Sequence, residues 1–168
     1  SATVTVQSSD GTLKLEYQVE QDGELGVEID PTQIPDNEIW YTTTDDQIIS
    51  LNNAQTDWNY PETEFGAKVI SNTYVNGKGV IKFDVEPSKI GSWAFWRCEN
   101  LHKMYLPSKI KSIGDNAFNN CVNLQTLYLS NDISSAGSYI FDNCLNLQSF
   151  ESVLAKNKKK TLIVNSTI

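Results

Sequence analysis

Ile90-Gly91-Ser92-Trp93-Ala94-Phe95 returns as Ile113-Gly114-Asp115-Asn116-Ala117-Phe118 and again as Ala136-Gly137-Ser138-Tyr139-Ile140-Phe141, each copy beginning 23 residues after the one before. The register persists downstream. Cys98, Cys121 and Cys144 hold one position, Leu101, Leu124 and Leu147 a second, and Met104, Leu127 and Phe150 a third. A fixed period of this length is the mark of a solenoid, in which each coil stacks on the next. One coil has too few inward apolar residues to offset the entropy of ordering itself. Neighbours must complete the burial, and both ends need covers.

The pattern predicts strands near 80–83, 103–106, 126–129 and 149–152, with Ile81 and Phe83 one period ahead of Met104 and Leu106. Between strands, Ala94, Phe95 and Cys98 share a face at i, i+1 and i+4, with Leu101 three residues later, which predicts a short helical turn. The expected fold class is an α/β repeat: a short solenoid of parallel strands plus short helical turns, preceded by a β-hairpin-rich N-terminal region. Three segments follow from this: 1–37 as an N-terminal β segment, 38–79 as a β-hairpin cap leading into the repeats, and 80–168 as the repeat array with a C-terminal cap. In the last of these, 161–164 is the expected closing strand.

Upstream, Val4-Thr5-Val6 leads into a turn at Asp10-Gly11. Leu13, Leu15, Tyr17 and Val19 then alternate with polar residues, the period of a half-buried strand. Asp22-Gly23 is the next turn, and 25–29 a further strand ended by Pro31. Residues 38–51 read as a hairpin, with Ile39 to Thr43 going out, Asp45-Asp46 turning and Ile48 to Leu51 returning. Residues 52–65 read as loop. Ala67 to Tyr74 extends toward an Asn76-Gly77 hairpin turn.

The chain has 168 residues and a formal net charge of −8. The charge is uneven: 1–79 hold 14 acidic and 3 basic side chains, and 80–168 hold 7 and 10. The acidic half argues against nucleic acid, whose phosphates it would repel. Lys156, Lys158, Lys159 and Lys160 form the one dense basic cluster, read as a solvated turn. No apolar run is long enough to span a membrane, and nothing at Ser1 reads as a signal segment. The cysteines carry repeat spacing rather than C-x-x-C, so they read as small inward groups. Side chains in such a ladder run parallel, a poor geometry for a disulfide. His102 is the single histidine and reads as solvent-side. No triad, phosphate loop, calcium loop or metal set has its parts, so no catalytic residue, metal ligand or cofactor is assigned.

Leu101-x-x-Met104-x-Leu106 and Leu124-x-x-Leu127-x-Leu129 resemble the strand segment of leucine-rich repeats. The preceding Ile-Gly-x-x-Ala-Phe-x-x-Cys-x-x-Leu is more specific and resembles the 23-residue BspA-like class of bacterial surface proteins. Residues 37–83 resemble the short lead-in that often precedes such repeats. The third copy departs from the pattern at Ala136, Ile140 and Ser152. The resemblance implies secretion or surface anchoring, with a secretory or lipoprotein segment ahead of Ser1. It also implies adhesion by binding a protein partner or an extracellular matrix component, without catalysis.

Two sets of residues are candidates for contact. Lys82, Tyr105, Tyr128 and Glu151 occupy one outward strand column, with Lys103, Thr126 and Ser149 beside it. Tyr105 and Tyr128 fit a binding face and a cross-strand packing pair equally well. Trp93 and Trp96 stand where the other copies carry Asn116, Asn119, Tyr139 and Asp142. An exposed Trp there points to a contact, and the need of the first copy to dock on the cap weighs toward packing. A protein-interaction module is the leading reading. A carbohydrate-binding module stacking sugars on Trp and Tyr, or a structural spacer, is the alternative.

Overall fold

Alternation of apolar and polar residues sets the strands of the lead-in. The structure, a computed structural model, describes residues 2–7, 14–19, 28–51, 65–129 and 132–152. Strands β1 (Ala2–Gln7) and β2 (Lys14–Val19) pair antiparallel, with Val4 opposite Tyr17 and Val6 opposite Leu15. Asp30 caps a 3-10 turn at Pro31–Gln33, its carboxylate accepting from the Thr32 N–H at 2.9 Å. Strands β3 (Glu38–Thr43), β4 (Val69–Val75) and β5 (Lys78–Phe83) follow. In β3, Ile39, Tyr41 and Thr43 are buried while their neighbours are half-buried. The β4–β5 hairpin turns on Asn76 and Gly77, both with left-handed φ (51° and 78°), the geometry Asn-Gly favours.

Each repeat copy then supplies two strands. The short strands β6 (Lys89–Ile90), β8 (Ser112–Ile113) and β10 (Ser135–Ala136) form a parallel three-stranded sheet. The longer strands β7 (Leu101–Tyr105), β9 (Thr126–Leu129) and β11 (Ser149–Ser152) pair in parallel at one end of a six-stranded mixed sheet, ordered β11-β9-β7-β3-β5-β4. The 23-residue register is kept in both sheets: Ile90, Ile113 and Ala136 align, as do Met104, Leu127 and Phe150. Gly114 and Gly137 permit the close approach of the copies. A Cβ on either would lie 2.5 Å from a backbone nitrogen of the copy before.

One core runs through lead-in and repeats. Phe95 and Phe118 stack at 5.1 Å, and Phe118 and Phe141 at 5.6 Å, with interplanar angles of 18° and 13°. Phe65 closes the near end of this column, 5.8 Å from Phe95 and 5.1 Å from Phe83. The Phe65 carbonyl accepts from the Ser88 N–H at 3.0 Å, so this residue also anchors the chain entering β6. The thiols form a second column. Cys121 donates to the Phe95 carbonyl (3.0 Å), Cys144 to the Phe118 carbonyl (3.1 Å) and Cys98 to the Ser50 carbonyl (3.2 Å). Ser50 thus stands in for a preceding copy. All three cysteines are free.

The structure departs from the expected fold class. It is mostly β, with mixed and parallel sheets and no α-helix among the described residues, rather than an α/β solenoid with helical turns. The backbone shows why. Trp93, Arg97, Asn116, Asn120, Tyr139 and Asn143 all have left-handed φ between 54° and 63°, two per copy and four residues apart, and a right-handed helix cannot pass through them. The N–H groups that a helix would use point to the next copy. Trp93, Phe95 and Arg97 donate to the carbonyls of Asp115, Ala117 and Asn119, and Asn116, Phe118 and Asn120 to those of Ser138, Ile140 and Asp142, all at 2.8–3.0 Å.

Three further expectations are corrected. β5 does not stack on β7, because β3 lies between them and runs antiparallel to both. Residues 48–51 form no return strand, and β3 takes β5 and β7 as partners instead. His102 is buried, with 8% exposure, rather than solvent-side. The turns at Asp10-Gly11 and Asp22-Gly23, most of strand 25–29, loop 52–64, the lysine cluster and closing strand 161–164 lie outside the described residues.

Candidate functional site

On the six-stranded sheet, the registers place Glu151, Tyr128, Tyr105, Trp40, Val80 and Thr73 in one row. Tyr105 and Tyr128 stack at 4.3 Å and 7°. Tyr105 is only 3% exposed and Tyr128 half-buried. Trp40 carries the Lys78 ammonium 3.9 Å over its ring, a cation–π contact, and donates to Glu38 at 2.8 Å. Lys82 is exposed and pairs with Glu38 at 3.7 Å, one row away from Tyr105 because β3 intervenes. Lys103 is half-buried and Thr126 buried, facing each other in the next row. Ser149 continues that row on β11. The ring faces on this side are largely occupied by one another and by Lys78.

The turn segments present a different surface. Trp93 is 46% exposed and meets Trp96 edge-on at 5.7 Å and 87°. Arg97 lies 5.6 Å from the Trp96 ring and reaches Glu99 at 3.4 Å. Tyr139, two copies on, is 73% exposed. Asn116 sits between them in the column, its Oδ1 accepting from Asn119 Nδ2 at 3.0 Å. Asn adopts left-handed backbone readily, whereas a bulky residue there costs about 1–3 kcal/mol. Two aromatic residues therefore occupy positions that the fold itself would fill with Asn. Tyr139→Asn is expected to raise stability by about 1 kcal/mol, read as a later urea midpoint. Trp93→Asn gains less, because it also gives up the contact with Trp96.

Sequence reasoning missed several members of these surfaces. Trp40 and Lys78 join the sheet face through the inserted β3, for which the 23-residue period gives no signal. The asparagines Asn100, Asn123 and Asn146 do share that period. Their amides bond Asp45 (3.0 Å), the Glu99 carbonyl (2.8 Å) and the Val122 carbonyl (2.9 Å), tying each copy to what precedes it. The Asn100 amide beside Asp45 holds its carboxyl below the usual range.

Among the described residues no three His, Cys, Asp or Glu side chains gather as a metal site. Burial pushes the Cys98 thiol up to about 12. The neighbouring Cys144 thiol, together with burial, holds the Cys121 thiol well above its ordinary value. Burial also raises Tyr41 to about 12, against an opposing hydrogen bond at Ile49. Each raised group is an acid that the fold keeps neutral. Its stabilisation is full below the unfolded value and lost as pH climbs toward the folded one. The urea midpoint is therefore expected to fall between pH 9 and pH 12, from the ordinary values of 9.0 and 10.0 to the folded ones. Below pH 9, Cys98 and Cys121 should react with a thiol reagent only as fast as the chain unfolds.

The family model for the BspA type leucine rich repeat region (6 copies) matches residues 68–160, more than half of the chain. The chain belongs to the BspA-type leucine-rich-repeat family. The match takes in β4 to β11 and every left-handed turn position named above. No curated protein and no solved structure gives a significant match. Leucine-rich repeats of this kind point to a protein-interaction module and are generally non-catalytic, and the BspA type is typically extracellular or surface-associated. Among the described residues no helix of this BspA-type chain is long and apolar enough to cross a membrane.

Proposed function

We propose that this chain is a non-catalytic adhesion module of a secreted or surface-anchored bacterial protein, binding a protein partner such as an extracellular matrix component through its turn face. The observation that carries this reading is the exposure of Trp93 and Tyr139 on left-handed backbone, at positions where the middle copy has Asn116. Left-handed backbone opposes bulky residues there, and large aromatics dominate the energetics of protein interfaces. The strand face is the weaker candidate, since Tyr105 is buried beneath its neighbours. A glycan platform is disfavoured for the same reason. It needs a broad flat aromatic surface, and Trp93 and Trp96, at 87° to each other, do not form one.

The test is a double substitution, Trp93→Asn with Tyr139→Asn, measured against a panel of purified matrix proteins and a glycan panel. The expected result is at least tenfold weaker binding to a matrix protein with no loss of melting temperature. Equal binding by variant and parent, or quenching of Trp fluorescence by a polysaccharide alone, would contradict it.

A further inference from the structure

The same column of the turn face has a spacing that selects among protein partners. Trp93, Asn116 and Tyr139 belong to successive copies joined by backbone hydrogen bonds, Trp93 to Asp115 at 3.0 Å and Asn116 to Ser138 at 2.9 Å. Hydrogen-bonded neighbouring strands lie about 4.8 Å apart, so the two aromatic residues are about 9.6 Å apart along the stack. A polyproline II helix repeats every three residues, or about 9.3 Å. We infer that the turn face binds a basic, proline-rich segment in the polyproline II conformation, with prolines three residues apart packed on Trp93 and Tyr139. This deepens the protein-interaction reading above and rests on it.

Two chemical features agree with that occupant. A polyproline II backbone makes no internal hydrogen bonds, and its prolines lack N–H groups, so its carbonyls need donors. With Oδ1 engaged by Asn119, Asn116 offers its Nδ2 hydrogens between the two aromatic residues. Within the turn segments 91–99, 114–122 and 137–145, Arg97 pairs with Glu99, which leaves the exposed Asp115 and Asp142 as the unbalanced charges. Lysine or arginine flanking the prolines complements that charge. The polyproline II form is largely preset in a proline-rich segment, which keeps the ordering cost of binding small.

The experiment titrates the full chain with a synthetic decapeptide carrying a P-x-x-P core and flanking arginines, read by Trp fluorescence and calorimetry. Saturable binding is expected, weakened at least tenfold by W93N and by Y139N. About threefold weakening is expected from N116G, which keeps the left-handed backbone and removes the donor. Replacing both prolines by alanine should abolish binding, and raising salt should weaken it. No saturable binding, equal binding of the alanine peptide, or indifference to W93N and Y139N overturns the inference. If the peptide fails while the double variant still loses a matrix protein, the proline reading falls and the broader one stands. If the double variant loses neither, both fall.

Discussion

Phe118→Ala should destabilise the chain by about 3–5 kcal/mol, the range for deleting a buried aromatic ring. Phe118 is fully buried and sits between Phe95 and Phe141, near-parallel to both. Its removal opens a gap that the two neighbouring rings line, and Phe95 is held from the other side by Phe65. The backbone limits relaxation as well. The Phe118 N–H is bonded to Ile140, and its carbonyl receives the Cys144 thiol. Phe141→Ala is the control. Phe141 is half-buried, and its loss should cost roughly half as much. Urea unfolding of the two variants checks the ranking, and equal costs would mean that the column does not act as a stack.

Gly79→Ala should cost about 3 kcal/mol, the upper end for overpacking a well-filled core. Gly79 lies directly opposite Tyr41 across the β3–β5 pair. A Cβ there would fall 2.1 Å from Cζ of that ring and 2.2 Å from Cε2. The ring has nowhere to retreat. It is fully buried, its hydroxyl donates to Asn72 at 2.6 Å, and the Tyr74 ring lies 5.9 Å away. Asn72 in turn donates to the Ile49 carbonyl at 2.9 Å, so a displaced Tyr41 would also loosen the segment that receives Cys98. Adding Tyr41→Val to Gly79→Ala should recover part of the loss. A coupling near zero in that double-mutant cycle would contradict the steric account.

What the sequence disclosed and what it withheld divide along a physical line. Features repeated at 23 residues were legible, because stacked copies must present identical residues to one another. The Phe column, the inward thiols and the parallel pairing of 103–105 with 126–128 all follow from that rule. The turn geometry was misread, since Ala94, Phe95 and Cys98 fit a helical face while the deciding torsions sit on Trp93 and Arg97, neither a residue that signals left-handed backbone. Asn116, Asn120 and Asn143 did carry that signal. The insertion of β3 between β5 and β7 was invisible because a single non-repeating strand has no period to betray its partners. The burial of Tyr105 follows from that insertion, with Trp40 brought up beside it. Phe65 was lost for a similar reason: it ends a stretch that reads as loop, yet it closes the aromatic column.

Amide hydrogen exchange at Phe95 and Phe118 tests most directly whether the copies are held together through their turns. These N–H groups donate across copies to Ala117 and Ile140 at 2.8 and 2.9 Å. They are predicted to exchange only by global unfolding, as slowly as the amides of β7 and β9. Exchange at the rate of open turns, with protection confined to the strands, would contradict the account.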